Sequence, residues 1–194
     1  MSQRLEGKRI AILVADGFEE VEMTKPRAAL EDAGAHTDLV SPVHGTVRGF
    51  NHLDPGDTFP VNVPLAQAHA DDYDALLLPG GVANPDALRA DPEAVQFVRA
   101  FAAAGKPIAA ICHGPWTLIE AGLAKGRRLT SWPSIRTDLQ NAGADWVDAE
   151  VVVDRGVVTS RKPDDIPAFN SKMIEEFSEG NHGPGLTQHA SHAV

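Results

Sequence analysis

The chain has 194 residues, with 17 Lys+Arg against 27 Asp+Glu, a formal net charge of −10 and a single cysteine, Cys112. This length suits one domain with a full hydrophobic core, and one thiol excludes an internal disulfide framework or a cysteine-ligated zinc knuckle. Basic residues cluster no further than short pairs such as Arg127-Arg128 and Arg161-Lys162, which argues against nucleic acid as the main partner. In chain order, Arg9–Val14 predicts a first strand, and Phe18–Ala33 a helix closed by Gly34. Ser41–Val63, rich in Gly, Pro and Asp, predicts short strands or loops near a sheet edge. Asp74–Leu78 and Pro107–Ile111 are further strand-length apolar runs without alternation, as in strands buried on both faces. Between them, Pro85–Ala104 predicts one helix through Leu88, Val95, Val98 and Phe101, ended by Gly105. Pro115 opens a short helix that closes at Gly122. Ala149–Val153 and Val157–Ser160 predict a hairpin, and Asp164 to Phe177 a last helix.

Strands alternating with helices imply right-handed crossovers and a three-layer α/β sandwich, its sheet mostly parallel with an antiparallel piece. The expected domain spans residues 8–177, with 178–194 as a loose tail. The start MSQRLEGKRI lacks a secretion signal, and no stretch approaches ~18 uncharged apolar residues. The expectation is a cytoplasmic protein with no membrane partner.

Ligands of open parallel sheets gather beyond the carboxyl ends of the strands. Three segments fall there: Asp16-Gly17-Phe18-Glu19-Glu20, Pro79-Gly80-Gly81 and Cys112-His113-Gly114-Pro115. A thiol on a strand-to-helix turn stands at the top of the sheet and faces a helix N-terminus, which favours thiolate. His113 is a candidate general base or orienting group. Gly80-Gly81 could offer backbone N–H groups to a developing oxyanion. Of Glu19, Glu20 and Glu22, helix capping accounts for most. One could turn towards the thiol, where burial would raise its pKa and let it donate a hydrogen bond to sulfur. Trp116 and Trp132 read as core or interface aromatics, and His182, His189 and His192 as solvated tail residues. No GxGxxG, Walker-type loop, HExxH or CxxC is present, so the sequence calls for no cofactor and no metal.

The segments AICHGP (110–115), Leu78-Pro79-Gly80-Gly81, FEEVE from Phe18, AEVVVD (149–154) and TSRKPD (159–164) together resemble the PfpI endopeptidase and parkinsonism-associated deglycase superfamily. The direct Cys-His pair is closer to its PfpI-type bacterial and archaeal stress proteins. The resemblance implies a flavodoxin-like three-layer α/β/α sandwich with a nucleophile elbow like that of class I glutamine amidotransferases. It also implies Cys112 as nucleophile, His113 beside it, and Glu19 as the acid bonded to the sulfur. Gly81 and His113 would supply the oxyanion N–H groups. Asp86 stands near where such proteins place a carboxylate, supplied by a neighbouring subunit, that orients the histidine. A homodimer or hexamer follows. The implied activities are a cofactor-independent peptidase, a deglycase or a glyoxalase, acting on peptides, glycated proteins or small oxoaldehydes. The competing reading is an oxidative-stress redox sensor or holdase using the same thiol. A glutaminase would need a late His-x-Glu, which the sequence lacks.

Overall fold

The structure, a computed structural model, describes residues 4–183. The first half of the chain runs β1 (Arg9–Leu13), β2 (Phe18–Glu19), α1 (Glu20–Asp32), β3 (His36–Ser41), β4 (Thr46–Asn51), β5 (Asp54–Pro60), β6 (Val63–Pro64), β7 (Ala75–Leu78), α2 (Ala83–Ala90) and α3 (Pro92–Ala103). The second half runs β8 (Ile108–Ile111), α4 (Pro115–Glu120), β9 (Arg128–Leu129), α5 (Arg136–Asn141), β10 (Asp145–Trp146), β11 (Val152–Asp154), β12 (Val157–Ser160) and α6 (Ile166–Glu179).

Seven strands form the central sheet in the order β11-β12-β8-β7-β1-β3-β6. All pairs are parallel except β11 with β12, the predicted hairpin. The five principal strands thus follow the flavodoxin-like order, second-first-third-fourth-fifth. Their apolar runs do not alternate because each strand feeds two cores. In β1, Ile10 and Ile12 pack with Met23 and Leu30 of α1 and Phe169, Met173 and Phe177 of α6. Ala11 and Leu13 face the other side, with Leu88, Val95, Phe101 and Leu118 from α2, α3 and α4. Successive side chains of a strand point to opposite faces, so a strand between two helical layers must be apolar throughout.

Two expectations change in detail. The single helix over Pro85–Ala104 is in fact α2 and α3. Asp91 is extended between them, since a residue preceding proline is disfavoured in the helical region, and its side chain caps α3 by accepting from Glu93 N at 2.9 Å. The Ser41–Val63 stretch holds an organised hairpin, β4–β5, that leaves the main sheet and pairs with β2 instead. Its tip, His52-Leu53, has His52 at φ +60°. Of the predicted tail, residues 178–179 belong to α6, and 184–194 lie outside the described residues. Among the described residues, no helix is long and apolar enough to cross a membrane.

Candidate active site

β8 delivers Cys112 to the carboxyl edge of the sheet. Its N–H still follows the strand ladder, donating to Ser160 O at 3.0 Å. The chain then reverses within one residue: Cys112 sits at φ +63°, and Pro115 opens α4. A non-glycine residue held in the left-handed region is strained, and such strain concentrates at functional sites. The predicted elbow is therefore present. The thiol is 6% exposed.

Four groups surround the sulfur. His113 Nδ1 lies 3.2 Å from Sγ. The backbone N–H groups of Gly81 and His113 point at it. The Glu22 carboxyl completes the set, within hydrogen-bond reach of the thiol. The sequence expectation that Glu19 is the sulfur's partner is thus corrected: the acid at the thiol is Glu22. Glu19 precedes α1 in extended backbone, so its side chain turns towards the hairpin. Its Oε2 accepts from His52 N at 3.1 Å, and its Oε1 lies 3.9 Å from His52 Nδ1. Glu20 likewise holds the hairpin, accepting from Asp57 N at 2.7 Å. Glu22, inside the helix and fully buried, is the one aimed inward.

Burial, reinforced by the charge of Glu19, pushes the Glu22 carboxyl up to about 8. It is neutral at pH 7. Its Oε2 accepts from Gly80 N at 3.0 Å, while Oε1 is buried with no hydrogen-bond partner among the described residues. A proton on Oε1 resolves that orphan by donating to sulfur. Burial also pushes the Cys112 thiol up, and Glu22 adds to this while ionised. Once Glu22 holds its proton, its O–H joins the two N–H groups in drawing the thiol back down. Burial lowers the His113 pKa, leaving a neutral imidazole able to accept the thiol proton at Nδ1. Its Nε2 lies 3.5 Å from Ser134 Oγ.

The Gly-Gly turn permits this crowding. A Cβ on Gly80 would collide with the Glu22 carboxyl and stand 2.7 Å from Cys112 Cβ. Gly81, at φ +77°, backs onto Gly17 and Glu19. The turn is fixed by Asn84, a fully buried residue that the sequence reading did not single out. A polar residue three positions past Gly81, between otherwise small and apolar neighbours, was the available signal. Trp132 and Trp116, expected as core or interface aromatics, both pack against His113. Trp132 stacks on the His113 ring at 5.9 Å, and Trp116 meets it edge-on at 5.2 Å.

Above the thiol lies a cavity of about 600 Å³. Phe50, His52 and Leu53 of the hairpin form its roof; Val82 and Asp86 line one wall, and Trp132, Ser134 and Pro163 the other. Asp86 is exposed on α2 and shares the cavity, whereas the outer nitrogen of His113 meets Ser134. Among the described residues, Glu176, Glu179 and His182 bring donor atoms within 4.8 Å of one another. They stand at the opposite edge of the sheet, where His182 N donates to Gly105 O, so they have no part in the thiol's chemistry.

The model of the DJ-1/PfpI family matches residues 8–176. YraA of Bacillus subtilis, which bears a cysteine-protease name, is 45% identical over 167 residues, spanning 86% of this chain and 96% of its own. A Pyrococcus abyssi protein named as a deglycase is 42% identical over 167 residues, covering 86% of this chain and 98% of its own. Among solved structures, DJ-1beta of Drosophila melanogaster superposes with a TM-score of 0.81 at 30% identity, covering 92% of this chain and 91% of its own. With the elbow, the sheet order and these matches in agreement, the chain belongs to the DJ-1/PfpI family.

Proposed function

We propose that this protein is a cofactor-independent enzyme whose Cys112 thiol adds to the carbonyl carbon of its substrate, in a stress-response setting. The observation that carries this reading is the convergence on one sulfur of His113 Nδ1 at 3.2 Å, the Glu22 carboxyl and two backbone N–H groups. His113 takes the thiol proton and the S–C bond forms. The carbonyl π electrons move to oxygen, and the N–H groups of Gly81 and His113 receive the resulting oxyanion. On an amide, His113 returns the proton to the departing amine as the C–N bond breaks, and water then cleaves the acyl–sulfur bond. On an oxoaldehyde, the proton on the adduct carbon first moves to the neighbouring carbonyl carbon, giving a 2-hydroxyacyl thioester whose C–S bond water then cleaves. Stress-protein, deglycase and cysteine-protease names among relatives are compatible with this shared first step. A thiol 6% exposed beneath a hairpin tip favours small carbonyl compounds, or carbonyl adducts on a protruding side chain, over an extended peptide.

The test is turnover of methylglyoxal and of small peptides by wild type, Cys112→Ser and His113→Ala. Wild type turns over methylglyoxal, Cys112→Ser is inactive, and His113→Ala loses about 10²–10⁴-fold. Equal rates in wild type and Cys112→Ser overturn the reading. A redox-sensor reading rests on the solitary thiol beside a carboxyl group, a setting open to sulfenic or sulfinic oxidation. Mass spectrometry after mild peroxide separates the two, because an unmodified Cys112 alongside vigorous turnover dismisses the sensor.

A further inference from the structure

Two carboxylates beyond Glu22 border the cavity. Glu19 is 8% exposed at the mouth, and its carboxylate meets the exposed His52 of the hairpin tip. Asp86 faces the same space from α2. Among the described residues, no lysine or arginine lines the cavity. Most cations close along the chain are engaged elsewhere: Arg136 lies over the Trp146 ring at 5.1 Å, while Arg48, two residues before Phe50, is exposed. Arg161 binds Asp148 and Asp165 at 2.6 and 2.9 Å, and Lys162 lies 3.3 Å from Asp164. Arg89, on α2 beyond Asp86, lies over Trp116 and 3.9 Å from Glu120. Burial lowers the His113 pKa and so disfavours its charged form.

The other relevant surface is aromatic. Trp132 is 37% exposed and lines the cavity, and Phe50 lies in the roof. Carboxylates and a partly exposed indole lining one cavity make a setting for an ammonium or guanidinium group, attracted by both charge and ring quadrupole. In a cleft with low-dielectric walls, carboxylates unopposed by cations also repel anions and concentrate cations.

We infer that Glu19, Asp86 and Trp132 form a charge-selective subsite that admits carbonyl compounds bearing an ammonium or guanidinium group and excludes anionic ones. This rests on the carbonyl-addition reading for the substrate's reacting end. The charge selection itself is a property of the cavity and can be measured without turnover.

Cys112 is the chain's only cysteine, so methanethiosulfonate reagents report on this site alone. Its sulfur attacks the reagent's sulfenyl sulfur, a disulfide forms, methanesulfinate leaves, and the thiol proton passes to His113 or solvent. Rates are measured at pH 7 and low salt with the cationic trimethylammonium-ethyl, anionic sulfonato-ethyl and neutral methyl reagents. Each charged rate is divided by the neutral rate on the same variant, and the ratio is then compared with that of free 2-mercaptoethanol. The expected cationic-to-anionic preference at Cys112 is about threefold or more above the free thiol's. It shrinks in Glu19→Gln, in Asp86→Asn and on adding salt, because screening weakens charge attraction. Trp132→Leu lowers the cationic rate without raising the anionic one. A wild-type ratio equal to that of the free thiol overturns the inference, and so does a preference that survives both carboxylate variants and salt. Methylglyoxal turnover keeps the two readings apart. Turnover without charge preference sinks the subsite alone, whereas charge preference without turnover sinks the carbonyl reading alone.

Discussion

Asn84 joins the loop after β1 to the loop after β7: its Oδ1 accepts the Ala15 N–H at 2.7 Å, while its Nδ2 donates to Pro79 O and Gly80 O, each at 3.0 Å. One fully buried amide thereby satisfies three backbone groups and sets the position of the Gly81 N–H relative to Cys112. Asn84→Ala leaves those groups unpaired, with a stability loss of about 2–4 kcal/mol. Urea unfolding gives the loss, and an unchanged midpoint contradicts it. On the proposed mechanism, turnover falls in kcat more than KM rises, since the displaced N–H is the one assigned to the oxyanion.

Glu22 makes stability depend on pH. Its folded pKa is raised from 4.5 to about 8, so between these values the folded state binds more protons than the unfolded chain. Stability therefore falls as pH rises through that window, by at most about 5 kcal/mol. Glu22→Gln removes this contribution and flattens the curve. Urea midpoints measured from pH 4 to 9 for both proteins decide it, and parallel curves would count against a raised Glu22.

The φ of +63° at Cys112 predicts an inverted substitution order. Alanine ordinarily outranks glycine in stability, but here Cys112→Ala retains the left-handed strain that Cys112→Gly relieves. The glycine variant is the more stable of the two by about 1 kcal/mol. Thermal melts of both test this, and neither variant has activity.

At Gly81, an added Cβ would collide with Gly17 O and stand 2.7 Å from Glu19 N, at φ +77°. Both obstacles are backbone, which cannot rotate away. Gly81→Ala therefore loses roughly 2–4 kcal/mol and displaces one of the two N–H groups facing the sulfur. Alkylation of Cys112 by iodoacetamide slows in the variant, and wild-type kinetics would refute the assigned role.

The elbow and the glycine turn were legible because their signals are local. Short apolar strands ending in Cys-His-Gly-Pro or Pro-Gly-Gly announce where the sheet's edge lies. The break at Asp91-Pro92 was equally local, and the unbroken periodicity of Leu88, Val95 and Phe101 masked it. The choice between Glu19 and Glu22 was not local. It depends on where α1 begins, and each residue of shift rotates a helical side chain by about 100°. That start is fixed by the pairing of Phe18–Glu19 with Gly49–Phe50, about thirty residues onward. The Ser134 and Trp132 contacts to His113 are likewise products of tertiary structure, beyond what spacing can show.

The β4–β5 hairpin has a consequence for how such a protein diversifies. Cys112, His113 and the Gly81 N–H all stand at the main sheet's edge, whereas the covering tip belongs to a separate excursion held largely by Glu19 and Glu20 through backbone N–H groups. Main-chain anchors do not depend on which side chains the tip carries. Leu53, 91% exposed at that tip, is free to vary, so selection can retune which molecules enter while the reaction beneath is inherited unchanged.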